Sequence, residues 1–309
     1  MSLLLNDPSK LCFRKPLLVR SSPLLSNGVS SQNPLSVIMY VDPCGADLGK
    51  LVIRRAGDIT PLEKKMSLKE MGMIGSSHGW LATLKDGFVG LQNPVASDTD
   101  PKHISLPPLV TLPHCQTRIV TNVAMSSPAQ RNPEWINIRV GSPCFFSSPV
   151  MFSKKDDRFH VLGSGGHLTG SWDHHTQTHK PKFNRFFFKT IPHLTKANKE
   201  LLDSCFKSEH FVESRTTNET FVVKQYKKTA EIINGTARMK TVAVMVFKLD
   251  NIAKLFYTQD IGDLCIFLTK YETFCVPSSS FPGLFPNHVK ILDSEETAIV
   301  NLADQKWNF

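Results

Sequence analysis

Three histidines fall within six residues, in the run Asp173-His174-His175-Thr176-Gln177-Thr178-His179. Imidazoles at that density, His174, His175 and His179, could hold Zn²⁺ or Ni²⁺ if the loop wrapped around the ion. Their spacing fits neither H-E-x-x-H nor a closed structural zinc set. The segment therefore reads as a solvated loop, and no metal is assigned. Residues 180–199 follow with six basic side chains (Lys180, Lys182, Arg185, Lys189, Lys196, Lys199) and no acidic one, interleaved with Phe183, Phe186, Phe187 and Phe188. Cations alternating with aromatics can track a phosphate backbone while the rings stack bases, which makes Lys180, Lys182, Arg185 and Lys189 the nucleic-acid candidates. Consecutive phenylalanines on a strand cannot all point outward. The favoured reading is a strand with phenylalanines in the core and lysines in water, so nucleic acid is not the expected partner.

Gly163-Ser164-Gly165-Gly166 invites comparison with a phosphate loop. It lacks the G-x-G-x-x-G spacing and leads into a strand, so it offers no helix N-terminus to a phosphate. No Gly-x-Ser-x-Gly elbow, Walker loop or paired-carboxylate spacing is present. A Ser/His/Asp triad assembled from distant residues stays open at this level. Neither a catalytic residue nor a cofactor is assigned, and the chain is expected not to be an enzyme.

The surrounding elements are short strands. Trp80-to-Leu84 and Phe88-to-Gln92 flank Asp86-Gly87, the two-residue signal of a tight hairpin, because both positions tolerate positive φ. Strands are expected at residues 150–153, 158–162 and 167–172, separated by turns at 154–157 and 163–166. Further strands are expected at 264–268, 273–276 and 288–292, and strand pairs over 210–226 and 240–250. The apolar run at 242–247 suits a strand covered on both faces. One principal helix is expected over 194–205, with Leu194, Ala197, Leu201 and Leu202 at helical spacing and Thr195 as its cap. Trp80, Phe152, Phe247 and Phe267 lie in apolar strand segments and are expected to be buried. Many short, evenly spaced strands make the fold class all-β, a sandwich, barrel or propeller.

Composition narrows the setting. With 309 residues, 41% hydrophobic and 20% charged, the chain is globular in class and long enough for a full core. Its longest apolar run is far short of the ~20 residues a spanning helix needs. Seven scattered cysteines without a CxxC read as free thiols in a reducing compartment. Residues 8–41 carry Lys10, Arg14, Lys15, Arg20 and seven serines, and no acidic residue. That is transit-peptide composition, so residues 1–41 are read as a disordered organellar targeting segment and residues 42–309 as the folded domain. Without residues 1–41 the net charge falls from +9 to +6, too mild to indicate nucleic acid by itself.

The ordered motifs "GSSHGWLATLKDGFVGLQNP", "VMFSKKDDRFHVLGSGGHLTGSWD", "HFVESRTTNETFVVKQY", "TVAVMVFKLD", "YTQDIGDLCIFL" and "FPGLFPNHVKILD" together resemble the plant domain-of-unknown-function 295 family, the F-box-associated β-propeller. The resemblance covers roughly residues 73–303. With a basic leader in place of the F-box, the chain most resembles the organellar branch. The resemblance implies a kelch-like β-propeller that contacts unidentified protein partners and is imported into mitochondria, with chloroplast or cytoplasm as alternatives. It carries over no catalytic residues. A relative of F-box substrate-recognition subunits and an organellar RNA-binding protein are the alternative functions. Two departures stand out: family members have extra strand material between Ser127 and Pro128, and a closing strand beyond Asp304. Such losses are expected to leave unpaired edges and an incomplete, marginally stable ring.

Overall fold

The computed structural model describes residues 17–20, 37–43, 48–67, 73–77, 80–85, 88–93, 103–106, 123–125, 134–137, 143–145, 149–173, 181–233, 236–269, 273–293 and 296–304. A short strand, β1 (Leu17–Arg20), precedes a three-stranded antiparallel sheet of β2 (Val37–Pro43), β3 (Leu48–Arg55) and β4 (Leu62–Ser67). An antiparallel meander follows: β5 (Met73–Ser77), β6 (Trp80–Lys85), β7 (Phe88–Gln92) and β8 (His103–Ser105). Lys85 pairs with Phe88, which confirms the two-residue connection read from Asp86-Gly87. β9 (Val123–Met125) and β10 (Glu134–Asn137) flank β1, which runs parallel to the first and antiparallel to the second. The segment read as a leader thus contains β1 and the start of β2.

Next come β11 (Val150–Ser153), β12 (Arg158–Leu162), β13 (Leu168–Asp173) and β14 (Lys182–Arg185), a four-stranded antiparallel sheet in chain order. A five-stranded sheet contains β15 (Phe187–Thr190), then, after helix α1 (Lys196–Ser204), β16 (Phe206–Glu213), β17 (Thr220–Ile233), β18 (Thr236–Leu249) and β19 (Lys254–Thr258). Its order is β15-β19-β18-β17-β16, so the strand before the helix lies at one edge and the strand after it at the other. The last sheet, β20 (Leu264–Thr269), β21 (Thr273–Pro277), β22 (His288–Leu292) and β23 (Thr297–Asn301), has the order β21-β20-β22-β23, with β22 parallel to β20.

Successive sheets meet through neighbouring strands. β5 lies near β9, β9 near β11, β12 near β16, β16 near β21, and β2 near β22. The early sheet therefore meets the late one. Val52 packs with Cys265, Phe267, Val276, Phe281 and Leu292, the Arg54 guanidinium donates to the Pro282 carbonyl at 3.0 Å, and Gly57 N–H donates to the Ser280 carbonyl at 3.2 Å. The Ser127–Pro128 junction and residues beyond 304 lie outside the described residues. Among the described residues, four sheets of four or five strands, two of three strands and one short α-helix make a mostly-β propeller.

The core explains why residues 242–247 read as continuously apolar. Val222, Ala243, Met245 and Phe247 project from one face of the five-stranded sheet toward Leu162 of β12 and Leu202 of α1. Phe221, Val223, Val244 and Val246 project from the other toward Ile266, Val289 and Ile291. Side chains alternate along a strand, so burial on both faces leaves no polar positions. Trp80, Phe152, Phe247 and Phe267 are 7%, 8%, 2% and 0% exposed, as expected. The helix starts where Thr195 caps it: Asn198 N–H donates to Thr195 Oγ1 at 3.2 Å. Among the described residues, Cys144, Cys205, Cys265 and Cys275 form no disulfide. Burial pushes Cys265 and Cys275 up to about 12, which leaves them unreactive near neutral pH.

Candidate interaction surface

Strand β16 carries the chemistry of two sheet junctions because its side chains alternate. Glu209, Phe211 and Glu213 face the β11–β14 sheet, whereas Ser208, His210 and Val212 face the β20–β23 sheet. On the first side, Glu209 is 6% exposed and accepts a hydrogen bond from Gly165 N–H at 2.8 Å. The glycine loop does receive an anion, but it is the protein's own carboxylate. Burial pushes Glu209 above its ordinary range, against the Gly165 N–H and the charge of Lys224. Lys224, its cross-strand partner, is held low by burial and sits 4.1 Å from the centre of the Phe188 ring.

Gly166 has φ +68°, and a Cβ there would lie 3.3 Å from Lys224 Cε and 3.4 Å from Glu209 Cγ. Gly166→Ala is therefore expected to cost about 1–2 kcal/mol, read as a lower urea midpoint at constant slope. An unchanged midpoint would show that the loop yields.

Farther along this junction, His160 Nε2 meets both Asp156 oxygens at 2.9 and 3.0 Å, and its ring stacks on Phe211 at 5.3 Å. Burial pushes Asp156 up, but the His160 hydrogen bond and charge outweigh it and leave the carboxyl low. Burial raises Glu213, against its hydrogen bond from Ser153.

On the second side, Ser208 Oγ lies 3.1 Å from His210 Nε2, and His210 Nδ1 lies 3.1 Å from Thr273 Oγ1. Desolvation, helped by Lys227, holds this imidazole down to about 4. A hydroxyl at Nδ1 offers no charge to stabilise an imidazolium, so the arrangement lacks the orienting carboxylate of a triad. The network continues through Gln225 to Thr241 at 2.7 Å, and Lys227 pairs with Asp293 at 2.5 Å across the junction. These polar groups join sheets.

His174, His175, His179 and Lys180 lie outside the described residues. Among the described residues, no group of three or more His, Cys, Asp or Glu side chains is arranged to hold a metal ion. Nor is any helix among them long and apolar enough to cross a membrane. The remaining candidates separate: Lys182 and Arg185 lie on β14, the outer strand of its sheet, and Lys189 lies on β15, the outer strand of the next. All three are exposed. The phenylalanines divide in half. Phe186 and Phe188 pack against the core, whereas Phe183 and Phe187 are 49% and 56% exposed.

Cross-strand register adds residues that sequence spacing hides. Phe187 pairs with Lys254, and Phe256 lies opposite Lys248 on one side and Thr190 on the other. Phe188, Leu255 and Tyr257 occupy the core-facing side, so alternation places Phe187, Lys254, Phe256 and Lys248 together on the opposite face. Phe256 is 39% exposed. Lys248 is ion-paired with Glu219, and that contact holds the Glu219 carboxyl low. The outcome is a solvent-facing surface of two aromatics and several lysines on a two-sided sheet.

No curated protein matches the chain. The model of the KIB1-4 beta-propeller matches residues 54–304, from β3 to just beyond β23, in agreement with the mostly-β ring and the F-box-associated resemblance of the ordered motifs. The chain belongs to the KIB1-4 β-propeller family.

Proposed function

We propose that the chain is a non-enzymatic protein-interaction propeller imported into mitochondria. The observation that carries the first part is the face of exposed Phe187, Lys189 and Phe256 with half-buried Lys254, on a sheet whose central strands are buried on both sides. Rigid sheets that present aromatic side chains suit binding, because a ring with few rotatable bonds loses little entropy on contact, and neighbouring lysines supply charge complementarity. The described histidines and acids at the sheet junctions are taken up by hydrogen bonds within the protein, His160 to Asp156, His210 to Ser208 and Thr273, Glu209 to Gly165 and Glu213 to Ser153, which favours a scaffold over a reaction centre. Proximity labelling from the full chain with its native N-terminus tests this reading. Mitochondrial proteins recovered consistently would support it, and a neighbourhood of cytosolic proteins alone would contradict the address.

The address rests on the basic, serine-rich and nearly acid-free composition of residues 1–41. Fused to a fluorescent reporter, that segment is expected to direct it to mitochondria. A diffuse cytosolic or a plastid signal would refute the assignment.

A second reading, an organellar RNA-binding surface, draws on Lys182, Arg185 and Lys189 exposed beside Phe183 and Phe187. Binding of that kind would weaken steeply with salt, and lysine-to-alanine changes would weaken it uniformly across RNA sequences.

A further inference from the structure

We infer that the β15–β19 face binds an acidic protein segment with apolar anchors, and that the segment lies on the face instead of extending the sheet. This rests on the protein-interaction reading above. The register makes the face a small lattice in which Phe187 stands beside Lys254 and Lys248 beside Phe256, at the roughly 4.8 Å spacing of adjacent strands. A register shift between Phe188 and Thr190 makes Lys189 the extra residue of a bulge, and Lys189 is exposed. A bulge and a lysine on an edge strand both obstruct pairing with an incoming strand. The face, with aromatics 56% and 39% exposed, is what remains to be covered.

Charge sets the partner's chemistry. Among the described residues, two acidic groups lie beside this face: Glu219, engaged by Lys248, and Asp250, whose Oδ1 accepts from the Lys254 and Ile252 N–H groups at 2.7 and 2.9 Å. The Asp250 carboxylate is taken up by backbone N–H groups, and among the described residues neither the Lys189 nor the Lys254 ammonium forms an ion pair. An extended segment alternating carboxylates with leucine- or phenylalanine-like side chains would answer both the charges and the rings. RNA fits less well. Two phosphate contacts on a single strand give a logarithmic salt slope of only about −1.4, too little electrostatic binding to hold a polyanion. Lys182 and Arg185, which would add to it, belong to the neighbouring sheet.

The test uses the full chain and fluorescence anisotropy. The probes are a labelled peptide of repeating Glu-Leu-Glu, its Lys-Leu-Lys counterpart and an oligouridylate. The acidic peptide is expected to bind, and the basic one is not. Lys189→Glu with Lys254→Glu should weaken binding roughly tenfold. Phe187→Ser with Phe256→Ser should do the same, while Phe88→Ser on the β5–β8 sheet leaves it unchanged. If either double variant fails to fold by circular dichroism, Lys254→Gln alone replaces it, with a several-fold loss expected. Equal affinity in wild type and variants would overturn the inference, as would no binding of the acidic peptide. That last result would sink only the acidic chemistry if a photocross-linker at position 256 still captured a single protein in cells. Tighter binding of oligouridylate, lost in the same variants, would overturn both this inference and the protein-interaction reading.

Discussion

Phe247→Ala is expected to lower the unfolding free energy by about 3–5 kcal/mol, a large share of a single domain's stability. Phe247 is 2% exposed at the middle of the five-stranded sheet. Phe188 meets its ring edge-on at a 4.8 Å centroid distance, Tyr257 at 5.8 Å, and the Lys224 ammonium lies 5.7 Å from its centre. The truncation removes apolar burial and leaves a cavity that two-sided packing cannot readily close. It also strips an aromatic wall from Lys224, whose charge burial already disfavours. Denaturant titration should show a much lower midpoint. A loss below about 1 kcal/mol would mean that the sheet is covered on one face only.

His210 is the second large lever, and its effect appears on acidification. The unfolded imidazole titrates near its ordinary 6.5, while the folded one is held down to about 4 by desolvation and Lys227. The unfolded chain therefore binds the extra proton across that window. Stability is full above about pH 6.5 and falls as pH drops toward 4. Between about pH 7 and pH 5 the loss from this group is about 2 kcal/mol. Glu209 and Glu213, both raised by burial, act with the opposite sign, since the folded state holds their protons more tightly than the unfolded chain does. The informative measurement is therefore the difference between wild type and His210→Gln across that range. The variant is expected to lose about 2 kcal/mol less on acidification. Parallel curves would show that His210 titrates normally and that the junction with β21 is open to water.

Much of this fold was legible because its strands announce themselves locally. The turns at 154–157 and 163–166 bracket β12 so tightly that β11 and β12 fall on their expected bounds and β13 within a residue. Thr195 identified the helix start because a cap needs only a hydroxyl and the following backbone amides. A strand was read in the basic, aromatic run, but its division into β14 and β15 in separate sheets was not legible: Lys-Phe-Asn-Arg at an outer edge is exposed at all four positions and shows no apolar alternation. The Gly165–Glu209 contact spans 44 positions, and no short-range spacing encodes it. The interaction face was half visible. Phe187 and Lys189 stood out in a basic, aromatic run, but Lys254 and Phe256 join them only through the parallel pairing of β15 with β19. The expectation that phenylalanines in that run are core was right for Phe186 and Phe188 alone, because strand alternation sends Phe187 the other way.

Site-specific photocross-linking in cells tests the central claim most directly. A photoreactive amino acid replaces Phe256 in one full-length version and Phe88, 53% exposed on the β5–β8 sheet, in another. The account predicts a discrete protein adduct from position 256, absent from position 88 and abolished by Lys189→Glu with Lys254→Glu. Adducts of equal yield from both positions, or RNA in place of protein at position 256, would contradict it.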